Sequence, residues 1–321
     1  MTGPLRVVAF GGGHGLSASL RALRRCNLDL HITAVVTVAD DGGSSGRLRS
    51  ERAALPPGDL RQAIAALAAD RPETQRTAAL FQHRFGPDGR DHSPLDGHTV
   101  GNLVLVGLME QLGDPVTALD HAGAMVDAAG RVLPMAIKPV GIEADVRGAD
   151  PRRPHTILTV EGQHAVAVAP GHVEAVRLTP PDPPACPEAV AAVREADWLI
   201  FGPGSWYTSV IPHLLVPELA AAIVASGAHR LVTLNLAAEP ETFGLSAADH
   251  LAALRWYLPE LKVDTVLADG TAVGDPEPVR RAAESLGARL VLAPVAVADG
   301  SPRHDPAALG AALVPVLGAS R

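Results

Sequence analysis

Lysine is nearly missing from this 321-residue chain: only Lys138 and Lys262 carry it, and every other basic residue is arginine. No G-K-[ST] follows any glycine run, which excludes a P-loop. Basic charge as a whole is short as well. The 27 Lys and Arg face 35 Asp and Glu, and the net charge of −8 argues against a broad nucleic-acid-binding surface. Cysteine is limited to Cys26 and Cys186, far apart in sequence, which speaks for a reducing compartment, so the expected location is cytoplasmic. No apolar run approaches the roughly 18 residues a membrane helix needs. The start, MTGPLRVVAF, lacks the pattern of a secretory signal. Aromatic residues make up only 3%, so the core has to close over small and aliphatic side chains.

Glycine (31 residues) and proline (28) are plentiful, and the length suffices for a core without disulfide or metal staples. LRVVAF (5–10) reads as a strand, LSASLRALRRC (16–26) as a helix and HITAVVTV (31–38) as a strand apolar on both faces. The same grammar returns in DWLIFG, HRLVTLNL, VDTVLAD and RLVLAPVAV, separated by helical stretches such as SAADHLAALRWYL and PEPVRRAAESLG. Alternating units of this kind predict an α/β fold: a Rossmann-like, doubly wound, mostly parallel sheet. Residues 59–69, 100–112 and 115–129 read as helices, and the tail after Pro306 as a terminal helix. Between 131 and 180 the text changes to VLPMAIKPV, TILTVEG, HAVAVAPG and VEAVRLTP, short strands punctuated by Gly and Pro. These predict a β-rich insertion at 131–180 within one domain spanning 1–321.

Chemistry gathers at strand ends. GGGHGLSAS (11–19) lies between a strand and a helix, where backbone amides attract anions and glycine lets a phosphate approach. Gly13, Gly15 and Ala18 fit the G-x-G-x-x-A dinucleotide fingerprint, and Asp40 and Asp41 follow the next strand. A tight βα turn is the alternative, but four glycines in five residues exceed what a turn needs. ADDGGSSGRLR (39–49) offers amides, Ser44 and Ser45 hydroxyls and a cation to one ligand, with the acids free for hydroxyls or a metal; a flexible polar loop is its alternative. In PPGDLRQ (56–62), Asp59 reads as a helix N-cap and Arg61 lies within reach of a ligand. GPGSWYTSVIP (202–212) again opens a helix behind a strand, with a Ser-capped helix as the alternative. Two strand–glycine turn–helix units suit a ligand with two ends, such as a nucleotide diphosphate sugar. Asp91, His92, Asp96 and His98 imitate a metal site, but their spacing fits no ligand pair, and a polar loop is the better reading.

In combination, GGGHGLS, VTVADDGGSSGRLR, LPPGDLRQ, GHTVGNL, VLPM, FGPGSWYTSVIPHLLV and the late RHDP resemble the YvcK-type gluconeogenesis-factor family, relatives of the 2-phospho-L-lactate transferases. The resemblance runs from about residue 5 to about residue 310. It implies a Rossmann-like fold that binds a UDP-sugar, UDP-N-acetylglucosamine or UDP-glucose, and a regulatory role in cell shape and envelope synthesis on gluconeogenic carbon. Carried over, Gly12, Gly13, His14, Gly15 and Leu16 would meet the diphosphate, and Asp40, Asp41, Gly43, Ser44 and Ser45 would line the same pocket. Asn102 of GHTVGNL, Gly204 and Ser205 of GPGSWYTS, Asn235 of LVTLNL and Arg303 of RHDP fall at matching positions. The chain departs from the family at His14, where relatives often have Thr. It also departs in LAAEPETFG after Asn235, and in lacking a Tyr beyond Tyr257.

No catalytic residue is expected on this reading and no cofactor is required. The expected partners are the UDP-sugar and proteins of envelope synthesis, with self-association open and neither nucleic acid nor a membrane span. One alternative is a phospholactyl transferase in which Asp40 and Asp41 hold magnesium. Another is an NAD-dependent oxidoreductase, for which neither a proton donor nor a substrate clamp is evident.

Overall fold

The computed structural model describes residues 3–86 and 93–319. In chain order the first half runs β1 (Leu5–Gly11), α1 (Gly13–Arg25), β2 (Leu30–Val36), α2 (Gly43–Arg52), α3 (Pro57–Leu67), α4 (Pro72–Gln82), α5 (Val100–Leu112), α6 (Pro115–Met125) and β3 (Gly130–Pro134). A middle section follows with β4 (Gly141–Arg147), β5 (Ile157–Glu161), α7 (Gln163–Val168) and β6 (His172–Thr179). The rest comprises α8 (Pro187–Glu195), β7 (Trp198–Phe201), α9 (Pro217–Ala225), β8 (His229–Thr233), α10 (Ala247–Tyr257), β9 (Thr265–Ala268), α11 (Gly270–Val273), α12 (Glu277–Ser285), β10 (Arg289–Leu292) and α13 (Pro306–Gly318). Between β7 and α9 the chain makes one π-helical turn, Trp206–Val210, and one 3-10 stretch, Ile211–Leu215.

The main sheet has the order β10-β9-β8-β7-β1-β2-β3, and its pairs are parallel. Its central strands are buried except at Arg6 near the start of β1, as their apolar runs require of a sheet covered on both faces. Phe10 of β1 and Phe201 of β7, partners in register, stack at 4.8 Å in the core. The chain winds outward from β1 through β2 to β3, returns to pair β7 on the other flank of β1, and winds outward again. The strand order therefore reverses between β1 and β7, and the crevice beyond their C-terminal ends is the place where open α/β sheets bind ligands.

The middle section departs from its sequence reading in three respects. RVLP does not begin the antiparallel part, because β3 pairs parallel to β2 at the edge of the main sheet. GIEADVR, not read as a strand, is β4, the centre of a three-stranded antiparallel sheet in the order β5-β4-β6. Its Ile142, Ala144 and Val146 are buried, alternating with Glu143, Asp145 and Arg147. HAVAVAPG, read as a strand, contributes most of helix α7. Elsewhere, both cysteines are buried free thiols, and burial pushes Cys26 up to about 11.

Candidate ligand-binding site

The glycine turn after β1 and the one after β7 face each other across the crevice. Gly12 follows the strand in extended backbone as the N-cap of α1, and Gly13 takes a φ of +54°, a left-handed conformation that favours glycine. Gly15 backs directly onto the second turn: a Cβ there would lie 2.6 Å from Gly204 Cα and would collide with the Pro203 carbonyl. Asn235, just past β8, holds that second turn from behind. Its Oδ1 accepts the Gly204 N–H at 2.8 Å and its Nδ2 donates to the Gly204 carbonyl at 2.9 Å. Glu241, buried nearby, accepts the Tyr207 N–H at 2.8 Å, and burial pushes its carboxyl up to about 7. Sequence reasoning carried both Gly204 and Asn235 into the site, and the structure shows them as one clamp.

A second layer rises against the first turn from α3. Asp59 is not the N-cap of that helix, a place taken by Pro56; it lies buried inside the first turn. Its carboxylate sits where a Cβ on Gly12 would be, and the same Cβ would stand 2.7 Å from Thr37 Cγ2. Burial, and then the Asp40 carboxylate, push Asp59 up to about 7, against the pull of the Gly13 N–H and Arg61. Asp40 bends toward the same point. A Cβ on Gly58 would stand 2.8 Å from Asp40 Oδ2 and would collide with Ser45 Oγ. Gly12, Asp40, Ser45 and Asp59 therefore converge.

The third layer comes from α5. Asn102 is buried and donates through Nδ2 to Ser44 Oγ at 3.0 Å, and Ser44 in turn lies 2.9 Å from His98 Nδ1. Ser44 Oγ thus accepts from Asn102 and links on to His98 Nδ1, which joins the three side chains in one buried chain. Burial and the neighbouring Arg47 lower the His98 pKa, in keeping with a neutral ring. Arg61, 5% exposed, packs its methylenes under Gly101, where a Cβ would stand 2.8 Å from Arg61 Cγ. Its pKa is lowered by burial and then by Arg84. Thr37 Oγ1, Arg61 Nε, Thr99 Oγ1 and Asn102 Oδ1 are buried with no hydrogen-bond partner among the described residues. Seven further buried side-chain atoms are also without a partner among the described residues, Trp198 Nε1 and Arg230 Nε among them, so it is their place around the crevice that makes these four available to a ligand.

Beside these layers opens a cavity of about 980 Å³ lined by Asp41, Gly43, Ser44, Gly46, Arg47, Arg49, Ser50, Arg84 and Gly97. It forms because SSGRLR is not the loop expected from its composition but the first half of α2, with Gly42 as N-cap. Arg47 and Arg49, unnamed in the sequence reading beyond the motif itself, could have been found by continuing that motif as a helix. Arg84, at the far end of α4, carries no local signal.

Other expected residues are placed differently. Asp41 is not free: its Oδ1 accepts the His164 N–H at 2.8 Å, so it caps α7 from across the chain. Leu16 turns its side chain into the core and offers only backbone, and His14 is exposed. Ser205 is the N-cap position of the π turn, with no side-chain cap bond. Arg303 is exposed and folds onto its own loop, where it meets Asp299 at 2.7 Å and Ser301 at 2.9 Å. Asp91 and His92, from the considered metal cluster, lie outside the described residues. Of that cluster's other members, Asp96 uses its carbonyl for Arg47 and His98 belongs to the Ser44 chain. Among the described residues no group of three or more His, Cys, Asp or Glu is arranged to hold a metal ion.

A family model described as 2-phospho-L-lactate transferase CofD matches residues 7–291, nearly the whole of this architecture. The chain belongs to the CofD family. Within it, a Mycobacterium tuberculosis protein named "Putative gluconeogenesis factor" is 52% identical over 313 residues, covering 96% of this chain and 89% of that protein. The gluconeogenesis factor of Bacillus subtilis is 38% identical over 287 residues, 89% of this chain and 84% of its own. A crystal structure of a UPF0052 family member from Bacillus halodurans superimposes with a TM-score of 0.84 at 33% identity, covering 98% of this chain and all of that one. The resemblance carried by the glycine and SSGRLR motifs is thus a true family membership, with the two glycine turns at the point where the strand order reverses and SSGRLR after the neighbouring strand β2.

Proposed function

We propose that this CofD-family chain binds a nucleotide diphosphate sugar, UDP-N-acetylglucosamine or UDP-glucose, across the crevice, and acts through that binding as a gluconeogenesis factor in cell shape and envelope synthesis. The observation that carries the reading is the meeting of Gly15 and Gly204, which brings two glycine turns together at the switch point of the sheet, where backbone can approach a ligand closely. The orphaned Thr37, Arg61, Thr99 and Asn102 atoms add polar groups for a ligand with two ends. Asp59 suits a phosphate in its protonated form, as a donor rather than a repelling charge. Calorimetry with UDP-N-acetylglucosamine, UDP-glucose, GDP and NAD tests this reading, and absence of uridine-ligand binding at millimolar concentration sinks it. The cellular half is tested by complementing a deletion strain on gluconeogenic carbon: wild type restores rod shape, and a Gly15→Ala variant does not.

One observation favours the transferase reading as a second. The acidic pair facing the first turn is Asp40 with Asp59, not Asp40 with Asp41, and two close carboxylates suit a divalent cation. Magnesium held there would offset diphosphate charge, leaving Asn102 and Arg61 to orient the donor. Turnover of a guanylated phospholactate with a deazaflavin acceptor would establish this reading; a folded, nucleotide-binding but inert protein would remove it.

A further inference from the structure

Two sheets have four outer edges, and three of them are protected against further pairing. The outer side of β6 is covered by α10, where the Val176 N–H donates to the Tyr257 hydroxyl at 2.7 Å. At the ends of the main sheet, β3 closes on Pro134 and β10 is only four residues long, two of the ways in which sheets avoid edge-to-edge contact. The edge formed by β5 is different. Ile157–Glu161 pairs with β4 alone among the described residues, and it carries no proline, no lysine and no inward charge. The shift in register at Asp145 and Val146 lies in the pairing with β6, so β5 is not bent away by a bulge. Its inward side chains, Leu158 and Val160, stay half-buried, whereas their β4 partners Val146 and Ala144 are fully buried. On the outer face Ile157 is 46% exposed beside Arg147.

We infer that β5 is a self-association edge, on which a second copy of this chain lays its own β5 antiparallel across a two-fold axis at Thr159. The strand's own sequence makes a second copy the occupant. Around Thr159 it is symmetric in character, with Leu158 on one side and Val160 on the other. Antiparallel pairing about that residue sets Leu158 against Val160 of the second copy, and the reverse, so the half-buried inner row continues across the joint. Thr159 meets Thr159, a pair that sheets favour. The ends match by charge. Glu161 of each copy comes beside the other's Ile157, and the exposed Arg152 and Arg153 stand just before that residue. A shift of one residue would turn apolar side chains to the charged face, which fixes the alignment. A strand of five residues, about 17 Å long, covers less than the roughly 800 Å² per partner of a stable interface. The pair therefore forms at micromolar concentration or above and not as a permanent dimer. β5 contributes no residue to the site described above, so the inference stands whether or not a nucleotide sugar binds.

Sedimentation velocity of the full chain from low to high micromolar concentration tests the pairing, and a dimer fraction that grows over this range is expected. Thr159→Cys locates it. Cα atoms opposite each other in an antiparallel pair stand about 4.5–5.5 Å apart, within the range that a disulfide spans. Cys26 and Cys186 are buried, so oxidised glutathione should join Thr159→Cys into a covalent dimer on a non-reducing gel. The wild type and Ala191→Cys, an exposed position on α8, should stay monomeric under the same treatment. Thr159→Lys sets like charges on the axis, and Glu161→Lys sets a cation against the loop arginines. Each should lower the association constant at least tenfold. Thr159 Oγ1 donates to Asp145 at 2.9 Å, so if Thr159→Lys fails to fold, Glu161→Lys decides the point. A chain that stays monomeric throughout, with Thr159→Cys cross-linked no more than Ala191→Cys, leaves the edge to a strand of another protein and overturns the inference. Association that both lysine variants retain in full overturns it as well, because the contact then lies on another face.

Discussion

Gly15 and Gly204 touch backbone to backbone across the switch point, and no side chain larger than hydrogen fits at Gly15. A Cβ there would stand 2.6 Å from Gly204 Cα. Gly15→Ala should therefore push the two turns apart and cost about 1–3 kcal/mol, the range for overpacking a closed site. Gly107, exposed on α5 with nothing within 4 Å of an added methyl, is the control. There the same substitution should stabilise by about 0.4–1 kcal/mol, by restricting the unfolded chain. Urea denaturation of both variants measures the contrast, and a stable Gly15→Ala protein would show that the turns separate without cost.

Asp59 makes stability and binding depend on pH near neutrality. Its carboxyl is raised to about 7 in the folded protein, far above its unfolded value, so the folded state holds the extra proton. The stability it contributes is fully present below the unfolded carboxylate range and is lost as pH rises through about 7. Glu241, also raised to about 7, adds a slope of the same sign. Asp59→Asn should remove part of the decline between pH 5 and 8, and Asp59→Asn with Glu241→Gln most of it. Diphosphate affinity should fall over the same interval in the wild type and flatten in Asp59→Asn. A wild-type affinity that rises from pH 6 to pH 8 would mean that Asp59 does not donate to the ligand.

Family resemblance puts Asp41 and Arg303 on one ligand, and the structure predicts that they behave differently. Asp41→Ala removes the acceptor for the His164 N–H and should cost about 0.5–2 kcal/mol without ligand, the value of a lost helix cap. Asp41→Asn keeps an acceptor oxygen and should recover most of it. Arg303→Ala removes an exposed contact to Asp299 and should stay within about 0.5 kcal/mol. Thermal unfolding of the three ligand-free variants checks the order, and an Arg303 loss as large as that of Asp41 would contradict it.

The same two residues show what was legible in the sequence. The parallel sheet was readable because LRVVAF, DWLIFG and HRLVTLNL are apolar without alternation, which leaves no solvent-facing side. The turns at Gly12–Gly15 and Gly204 were readable because local chemistry dictates them. GIEADVR carried a clear period of two and could have been recognised as a strand. HAVAVAPG could not be assigned, because five residues of alternating Ala and Val suit either period and the deciding cap, Asp41, lies 123 residues away. Asp59 had the right residue type for an N-cap but stands inside the helix, because Pro56 takes that position. The arginine cavity joins α2 to the far end of α4, a juxtaposition that only the fold supplies.

Asn235 is the residue whose removal should separate shape from affinity most clearly. Its amide makes two reciprocal bonds to one residue, accepting from Gly204 N–H and donating to Gly204 O. Both of its amide atoms are taken up by Gly204, so the substitution acts first on the turn. Asn235→Ala should cost about 1–3 kcal/mol of stability through the unmet Gly204 groups. Because the turn loses its support, nucleotide-sugar affinity should fall at least tenfold as well. Asn235→Asp keeps the acceptor for the N–H but sets a carboxylate against the Gly204 carbonyl, and should fall between the two in both measurements. Urea denaturation and calorimetry on the same preparations read the two effects separately. An alanine variant that is destabilised but binds with wild-type affinity would show that the second turn supports the fold and does not shape the site.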